Sequence, residues 1–413
     1  MKLRWILTIG ALLIAGPAAA DPFFSREDLH GYLDLRLSAA DGESSWLNGG
    51  FGKTSVSGGG GGFRGRAELA QGMVAWTPHL TWDLDAILVG QYQPSGDRGP
   101  TLGEAYLRWR PARGGATRIS ARAGLFYPPV SLEHEAGAFW VDRDMITPSA
   151  INSWIGEEVK VVGVEATVTQ KVSGGQISLT GAIFGFNDTA GTLIAFRGWS
   201  LDDVIVGAPD HYPLPPLSAL VRAVQAPRTN PVFEIDHRPG AYARLGWKPE
   251  PNLTLNAVYY DNGGAVGAGA SGQSSWRTRF GDAGVRYDLD ATNRLIGQAI
   301  IGRTRFGLSS GELVADTSFR AAYLRATHDL GRDSLSARAD LFDTTNHAGL
   351  EYGDTNEQGW AVGADYRKRL SGHADLLFEA LHVQSNRPAR RDILGLPPGQ
   401  GQTLLQASLR LRL

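Results

Sequence analysis

The feature that most constrains this chain is an alternation of apolar and polar residues. Between Gly103 and Arg110, for example, Ala105, Leu107 and Trp109 alternate with charged or polar residues. A period of two residues is typical of a β-strand with one apolar and one polar face. About sixteen segments of roughly ten residues repeat this pattern, the length expected for tilted strands that cross an outer membrane. The alternation therefore predicts an all-β protein.

The connections between these segments alternate in length. Short ones such as 77–78, 171–175 and 248–252 are separated by long ones such as 127–159 and 187–239. Outer-membrane barrels have short periplasmic turns and long extracellular loops, whereas a soluble sandwich has no reason to keep that order. We therefore predict a transmembrane antiparallel β-barrel of about 16 strands, within a range of about 14–18, whose third long loop folds inward.

The N-terminus has the pattern of a secretory signal. Lys2 and Arg4 precede an apolar run from Trp5 to Gly16, and small residues lead up to a cleavage site near Ala20. We expect residues 1–20 to be a signal peptide, residues 21–413 to form the barrel, and the destination to be the outer membrane of a Gram-negative bacterium. The chain has no cysteine, which excludes disulfides and a lipid anchor on cysteine.

Charge and motifs argue against several function classes. The formal net charge is -2, whereas a nucleic-acid-binding protein typically carries a basic surface. No HExxH, GxSxG or CxxC motif occurs, and no two of the nine histidines have ligand-like spacing. We expect no enzyme, no metal site and no cofactor.

Three tryptophans recur just before short turns. Trp76, Trp109 and Trp247 each precede a turn that contains proline. Aromatic girdles lie at the membrane–water interfaces of outer-membrane barrels, which makes these residues girdle candidates. The alternative is a recurrent turn motif in which tryptophan only packs.

The polar face carries many charges, which water in a channel would solvate at far lower cost than a protein core. The same alternation assigns Arg320 and Leu324 to the inner face. We expect a wet lumen with a basic patch on 63–126 that faces an acidic loop; the alternative is a charge ladder that braces the wall without selectivity. The candidate pore-lining and constriction residues are Arg64, Arg66, Arg108, Arg118, Arg122, Glu104, Glu133, Asp142, Arg143, Asp144, Glu157 and Glu158.

Two long connections are expected to shape the mouth. The connection 127–159 mixes prolines, tryptophans and charges with apolar residues, which favours a folded constriction over disorder. A short helix is predicted from Pro148 to about Trp154, with Thr147 as its N-cap. The insertion 187–239 either caps the mouth or folds inward, and the pattern leaves both open.

Three segments resemble the bacterial porin superfamily. The stretch Gly124–Glu133 (GLFYPPVSLE) is similar to the strand-to-loop segment of phosphate-selective porin-like proteins. Together with Thr147–Glu158 and Phe196–Asp203, it resembles functionally uncharacterised proteobacterial outer-membrane β-barrel proteins more closely. The resemblance implies a passive channel that forms a homotrimer. The lysine-rich ladder of a phosphate-selective pore is missing, since arginine and acidic residues take its place.

We therefore expect an outer-membrane porin for passive diffusion of small hydrophilic solutes or ions, with anion preference as one outcome of the lumen arginines. The expected partners are outer-membrane lipid and lipopolysaccharide, the barrel-assembly machinery, small hydrophilic solutes and two further copies in a homotrimer, with no nucleic acid. The alternative is an outer-membrane β-barrel enzyme or adhesin whose loops plug the lumen.

Overall fold

A computed structural model describes residues 25–60, 62–94, 99–111, 115–134, 141–348 and 354–413. The predicted signal peptide, residues 1–20, and its cleavage site lie outside the described residues. Among the described residues, no helix has both the length and the apolar character needed to cross a membrane.

Sixteen antiparallel strands of the described chain close into one barrel, which confirms the predicted strand number and barrel class. The last strand pairs with the first, for example at Leu409 and Leu35, and this pairing closes the barrel. The barrel strands are β1 (Leu29–Ala40), β2 (Arg64–Trp76), β3 (Leu84–Tyr92), β4 (Thr101–Trp109), β5 (Thr117–Phe126), β6 (Val161–Val172), β7 (Gly175–Gly185), β10 (Gly240–Glu250), β11 (Leu253–Asp261), β14 (Arg277–Asp288), β15 (Asn293–Gly307), β16 (Leu313–Leu330), β17 (Asp333–Asn346), β18 (Glu357–Arg369), β19 (Ala374–Asn386) and β20 (Gly399–Arg412).

Shorter elements lie in the long connections. Two small hairpins pair β8 (Tyr212–Pro213) with β9 (Arg228–Thr229) and β12 (Gly269–Ala270) with β13 (Gln273–Ser274). The helices are α1 (Ala150–Glu158), α2 (Thr192–Phe196), α3 (Ala219–Arg222) and α4 (Ala389–Leu394).

Helix α1 begins later than the sequence predicted. The N-cap is Ser149, whose hydroxyl accepts a hydrogen bond from the Asn152 amide. The expected cap, Thr147, instead donates its hydroxyl to Glu379 at 2.7 Å. The Thr147 hydroxyl, which the sequence predicted would cap the helix, therefore binds the Glu379 carboxylate on the barrel wall instead.

The two faces of the wall have opposite chemistry. On β1, Leu33, Leu35 and Leu37 point outward and are exposed, whereas Asp34 and Arg36 point inward and are buried. An exposed apolar belt around a polar interior is the reverse of a soluble protein and is the pattern of a barrel that faces lipid.

Strand β16 corrects the predicted inner face. Arg320 and Leu324 point outward, and Leu324 is exposed. The inward set contains Phe319 and Tyr323, which are buried against the connections inside the barrel. Because both faces of this strand carry apolar residues, the period-two pattern is weak here. The prediction of the inner face was wrong for this reason.

An apolar core fills part of the barrel interior. Trp154 of α1 packs edge-on against Phe280 and Phe319, with ring centroids 5.6 and 5.0 Å apart, and Trp199 lies 6.2 Å from Trp154. Inward aromatic residues near the extracellular ends of the strands thus hold the two long connections inside the wall.

Candidate functional site

One side of the barrel interior is packed against the connection 127–159. We call this side, formed by the inner faces of β16–β20 and β1, the packed wall. Its inward arginines are buried almost to the periplasmic ends of the strands, as Arg325, Arg367 and Arg410 illustrate. Asp142 accepts a hydrogen bond from Arg325, and Asp144 lies 3.5 Å from Arg367.

Carboxylates of the packed wall bind the backbone of the connection. The amides of Ile146, Thr147 and Ala150 donate to wall acids at 2.7–3.0 Å. The acceptors are Asp365, Glu379 and Asp340, respectively. Sequence reasoning missed these anchors, although their inward positions on neighbouring strands are a signal that could have found them.

Arginines of the same wall bind the carbonyl groups of this segment. Arg338 donates to the Thr147 carbonyl at 2.6 Å, and Arg410 donates to the Asp142 carbonyl at 2.7 Å. Side chains of the packed wall therefore provide hydrogen-bond partners for both N–H and C=O groups of this segment's backbone. A buried segment without regular secondary structure needs such partners.

Glu133 holds the start of α1. Its carboxylate accepts hydrogen bonds from the amide and hydroxyl of Ser149 at 2.8 and 2.6 Å and from Asn152 at 2.7 Å. It also lies 3.8 Å from Arg325 and from Arg338. The predicted acidic residues Glu133, Asp142 and Asp144 are thus neutralised by arginines of β15–β18.

Glu157 and Glu158 join the two long connections to each other. Glu157 pairs with Arg197 at 2.7 Å, and Arg197 lies over the Trp46 ring. Glu158 accepts hydrogen bonds from the Trp154 indole at 2.7 Å and from the Leu193 amide at 2.9 Å. Burial raises the pKa of Glu158 to about 7. Both side chains are buried, so neither offers charge to lumen water.

Part of the insertion 187–239 also runs inside the barrel. Residues 192–206 are buried, apart from a half-buried Asp203. Arg36 of β1 pairs with Asp203 at 2.6 Å, while the side-chain amides of Gln71 and Gln91 donate to carbonyls of Asp203 and Ile205. Residues 192–206 therefore fold inward, whereas later residues of the insertion, such as Leu220 and Arg228, are exposed.

The opposite side of the interior remains accessible towards the periplasmic end. We call this side, formed by the inner faces of β4–β7, β10, β11 and β14, the open wall. On β5 the inward side chains become less buried from Phe126, which is fully buried, to Arg118, which is exposed. Arg286 is also exposed, and Arg122 is half-buried.

At one ion pair on the open wall the guanidinium group reaches water while its carboxylate partner does not. The Arg108 side chain is 33% exposed and that of its partner Asp85 only 7%. The same contrast holds where the connection borders this space, with Arg143 43% and Asp144 5% exposed. Arg122 pairs with Glu165 at 2.8 Å. Arg286 and its partner Asp288 are about equally exposed, at 45% and 43%. The excess of positive charge that lumen water meets on this side therefore comes from Arg108, Arg118 and Arg143.

The predicted basic patch is divided into two parts. Arg64 and Arg66 lie at the extracellular start of β2, whereas Arg108 lies at the periplasmic end of β4. Both strands run in the same direction, so residues that start one strand cannot lie level with residues that end the other. Glu104 is buried and accepts the Tyr127 amide at 3.1 Å, which anchors the connection where it leaves β5.

The tryptophans lie on the outer surface near the periplasmic ends of their strands. Trp109 and Trp247 are 42% and 46% exposed, and Trp76 is half-buried. Their role as an interface girdle stays a prediction.

Three carboxylates meet where the insertion 187–239 begins and ends. Ligand oxygens of Asp188, Glu234 and Asp236 lie within 4.8 Å of one another. Asp188 accepts the amides of Ile235 and Asp236, and Glu234 accepts the amide of Phe186. These hydrogen bonds tie the two ends of the insertion together.

No protein-family model matches the chain, and no curated protein matches it in sequence. Solved structures match its fold. The outer membrane channel DcaP of Acinetobacter baumannii is 10% identical, with a TM-score of 0.56, over 95% of this chain and 99% of that one. An anion-selective porin from Comamonas acidovorans is 11% identical, with a TM-score of 0.52, over 93% and 98%.

The trimer form of OmpT, an outer membrane protein of Vibrio cholerae, is 7% identical with a TM-score of 0.50, over 93% of this chain and 99% of that one. The chain has the porin fold. At these identities the likeness concerns the path of the backbone alone.

Proposed function

We propose that the chain is an outer-membrane porin that passes small hydrophilic solutes by passive diffusion and prefers anions. The observation that carries the proposal is the unequal exposure of the ion pair between Arg108 and Asp85 on the open wall. Arg108 and Arg118 present guanidinium groups to lumen water, while Asp85, the partner of Arg108, is buried. Arg286 is also exposed, beside an equally exposed Asp288. Rings or rows of fixed charge are how many channels select ions.

The solute path would follow the open wall. Cations fixed along a narrow aqueous space raise the local concentration of anions and speed their entry. The two inward connections would set the width of this path, since Trp154 and Trp199 pack between the walls. The Comamonas acidovorans protein with this fold is described as anion-selective, which agrees with the proposal.

The proposal also covers the membrane location of the chain and its partners. The apolar outward residues of β1 suit a lipid environment, so we infer an outer-membrane location with lipid and lipopolysaccharide contacts and insertion by the barrel-assembly machinery. A homotrimer is the proposed assembly, in line with the trimer form of the Vibrio cholerae protein. A catalytic role is not part of the proposal.

A second candidate has one observation in its favour. The core around Trp154 and Trp199 is as buried as that of a soluble protein. A barrel plugged in this way would pass no solute at rest and would serve as a scaffold for an enzyme or adhesin. Swelling of liposomes in a small sugar separates the two, since only an open path lets the vesicles swell.

The proposal is tested in planar bilayers with the purified full chain. The reversal potential in asymmetric KCl should have the sign of anion preference. The triple variant Arg108→Gln, Arg122→Gln and Arg286→Gln should move it towards zero, because these side chains line the open wall.

A matched control removes two arginines that lie away from the lumen, Arg238 and Arg332, both exposed in connections. The double variant Arg238→Gln and Arg332→Gln should keep the wild-type reversal potential. Cation preference of the wild type, or equal shifts in both variants, would refute the anion path. Absence of conductance together with absence of swelling would favour the plugged barrel.

A further inference from the structure

Four arginines form a compact block on the outer surface of the barrel. They lie at the extracellular ends of β14 and β15, where Arg277 is directly opposite Arg305 and Arg279 is directly opposite Arg303. Their neighbours along the strands, such as Thr278, point inward and are buried. The block therefore faces away from the lumen and has no part in the solute path proposed above.

The block carries more positive charge than its neighbours neutralise. Asp261 pairs with Arg277 at 2.9 Å, and Asp316 pairs with Arg303 at 2.5 Å. The same two acids lie directly opposite the other two arginines, Asp261 opposite Arg279 and Asp316 opposite Arg305. Four arginines thus share two carboxylates among the described residues. Like charges directly opposite each other on neighbouring strands destabilise a sheet. Two such pairs in adjacent rows leave a site where a bound anion would remove the repulsion.

An apolar groove begins next to the block, on the side towards the middle of the wall. It has a volume of about 460 Å³ and is lined by residues that include Ile301, Ala322 and Leu341. Arg320 and Asp343 also line it and pair with each other at 2.5 Å. Ile301 and Leu341 are 67% and 66% exposed. A cationic rim above an exposed apolar groove matches a molecule with an anionic head and an aliphatic chain.

We propose that this outer surface binds a phosphorylated lipid of the outer leaflet, with phosphate on the arginine block and an acyl chain in the groove. The planar guanidinium group binds phosphate through two parallel hydrogen bonds, which makes arginine better suited than lysine to such a site. A free phosphate ion would use the block but leave the groove empty. The inference rests on the proposed outer-membrane location and not on what the lumen passes.

Native mass spectrometry of the detergent-purified full chain tests the site. The probes are bisphosphorylated lipid A, its monophosphoryl form and inorganic phosphate. Wild type should bind the bisphosphorylated lipid saturably and more tightly than the monophosphoryl lipid. The variant Arg279→Gln and Arg305→Gln should bind it at least ~10-fold more weakly, since charge-assisted hydrogen bonds are lost.

The control variant Arg238→Gln and Arg332→Gln removes two exposed arginines elsewhere and should bind like wild type. A second pair of substitutions, Arg279→Lys and Arg305→Lys, keeps the charge and should weaken binding to a smaller extent. Equal lipid binding by wild type and the glutamine variant would overturn the proposal, as would displacement of the lipid by millimolar inorganic phosphate. Neither result would alter the reversal potential on which the porin proposal depends.

Discussion

The two walls of this barrel use arginine in opposite ways. On the packed wall, Arg338 and Arg410 are buried and donate to backbone carbonyls of the inward connection. On the open wall, Arg118 and Arg286 point inward as well, yet they reach water. Alternation along the strand is the same in both. The difference is that the segment 141–150 lies against one wall and leaves the other free.

The difference in burial also separates arginines that stabilise the fold from arginines that can act on solutes. A buried charge must keep its partners, because removing one leaves the other uncompensated in a medium of low polarity. An exposed ion pair contributes little to stability and is free to act on solutes. Arginines of the packed wall should therefore tolerate little change, and those of the open wall should tolerate it well.

The largest effect is expected from removal of Arg338. The side chain is fully buried and donates to Asp340 at 2.7 Å and to the Thr147 carbonyl at 2.6 Å. Arg338→Ala should destabilise the barrel by about 3–5 kcal/mol, the usual cost of breaking a buried ion pair. Chemical denaturation of the folded protein in lipid vesicles, followed by tryptophan fluorescence, measures this change.

Arg118→Ala on the open wall is the matched control. Arg118 is exposed, so the same substitution should change stability by no more than about 0.5 kcal/mol. If the two variants unfolded at the same denaturant concentration, the distinction between a packed and an open wall would fail.

A smaller effect is expected from the helix between the two walls, where Glu157 and Glu158 are neighbours with different partners. Glu157 has an arginine partner, whereas burial raises the pKa of Glu158 from 4.5 to about 7. The folded state therefore favours the protonated form of Glu158, and this contribution to stability is lost as the pH rises from about 4.5 through 7. One pKa unit is worth about 1.4 kcal/mol, so the full loss is on the order of 3 kcal/mol.

Glu158→Gln should abolish that part of the pH dependence, since the amide stays neutral. The midpoint of the variant should be the same at pH 4.5 and pH 8, whereas that of wild type falls between them. The variant should be less stable than wild type at pH 4.5, because the glutamine NH2 group cannot accept one of the two hydrogen bonds that Glu158 accepts. Glu157→Gln should lower the midpoint at pH 8, because it leaves Arg197 buried without its acid. Parallel pH profiles for wild type and Glu158→Gln would contradict the assignment.

The alternation of apolar and polar residues along each strand was enough to predict the barrel. Each strand must separate an outer apolar face from an inner polar face, so the period of two appears in the sequence itself. Where the inner face is also apolar, as at Phe319 and Tyr323, the signal fails and Arg320 was assigned to the wrong side. Strand β3 begins only at Leu84, because the amides of Leu80 and Thr81 donate to the Leu84 carbonyl and close a turn before it.

The candidate site was predictable only in part. Composition indicated that arginines and acids meet inside the barrel, but it could not indicate which arginine meets which acid. Asp142 is far from Arg325 in sequence, and their pairing depends on how the connection crosses the lumen. The division of Arg64 from Arg108 likewise follows from strand direction, which a list of inward residues does not contain.

The smallest effect should come from salt. The Debye length falls from about 10 Å at 0.1 M to about 3 Å at 1 M, which screens exposed charges strongly and buried pairs much less. Anion preference in planar bilayers should therefore weaken between these concentrations, because Arg108 and Arg286 act on solutes through water. The destabilisation caused by Arg338→Ala should stay nearly constant over the same range, because Asp340 remains buried. If selectivity were independent of salt, steric fit along the connections would set it, and the exposed arginines of the open wall would have no part in choosing the solute.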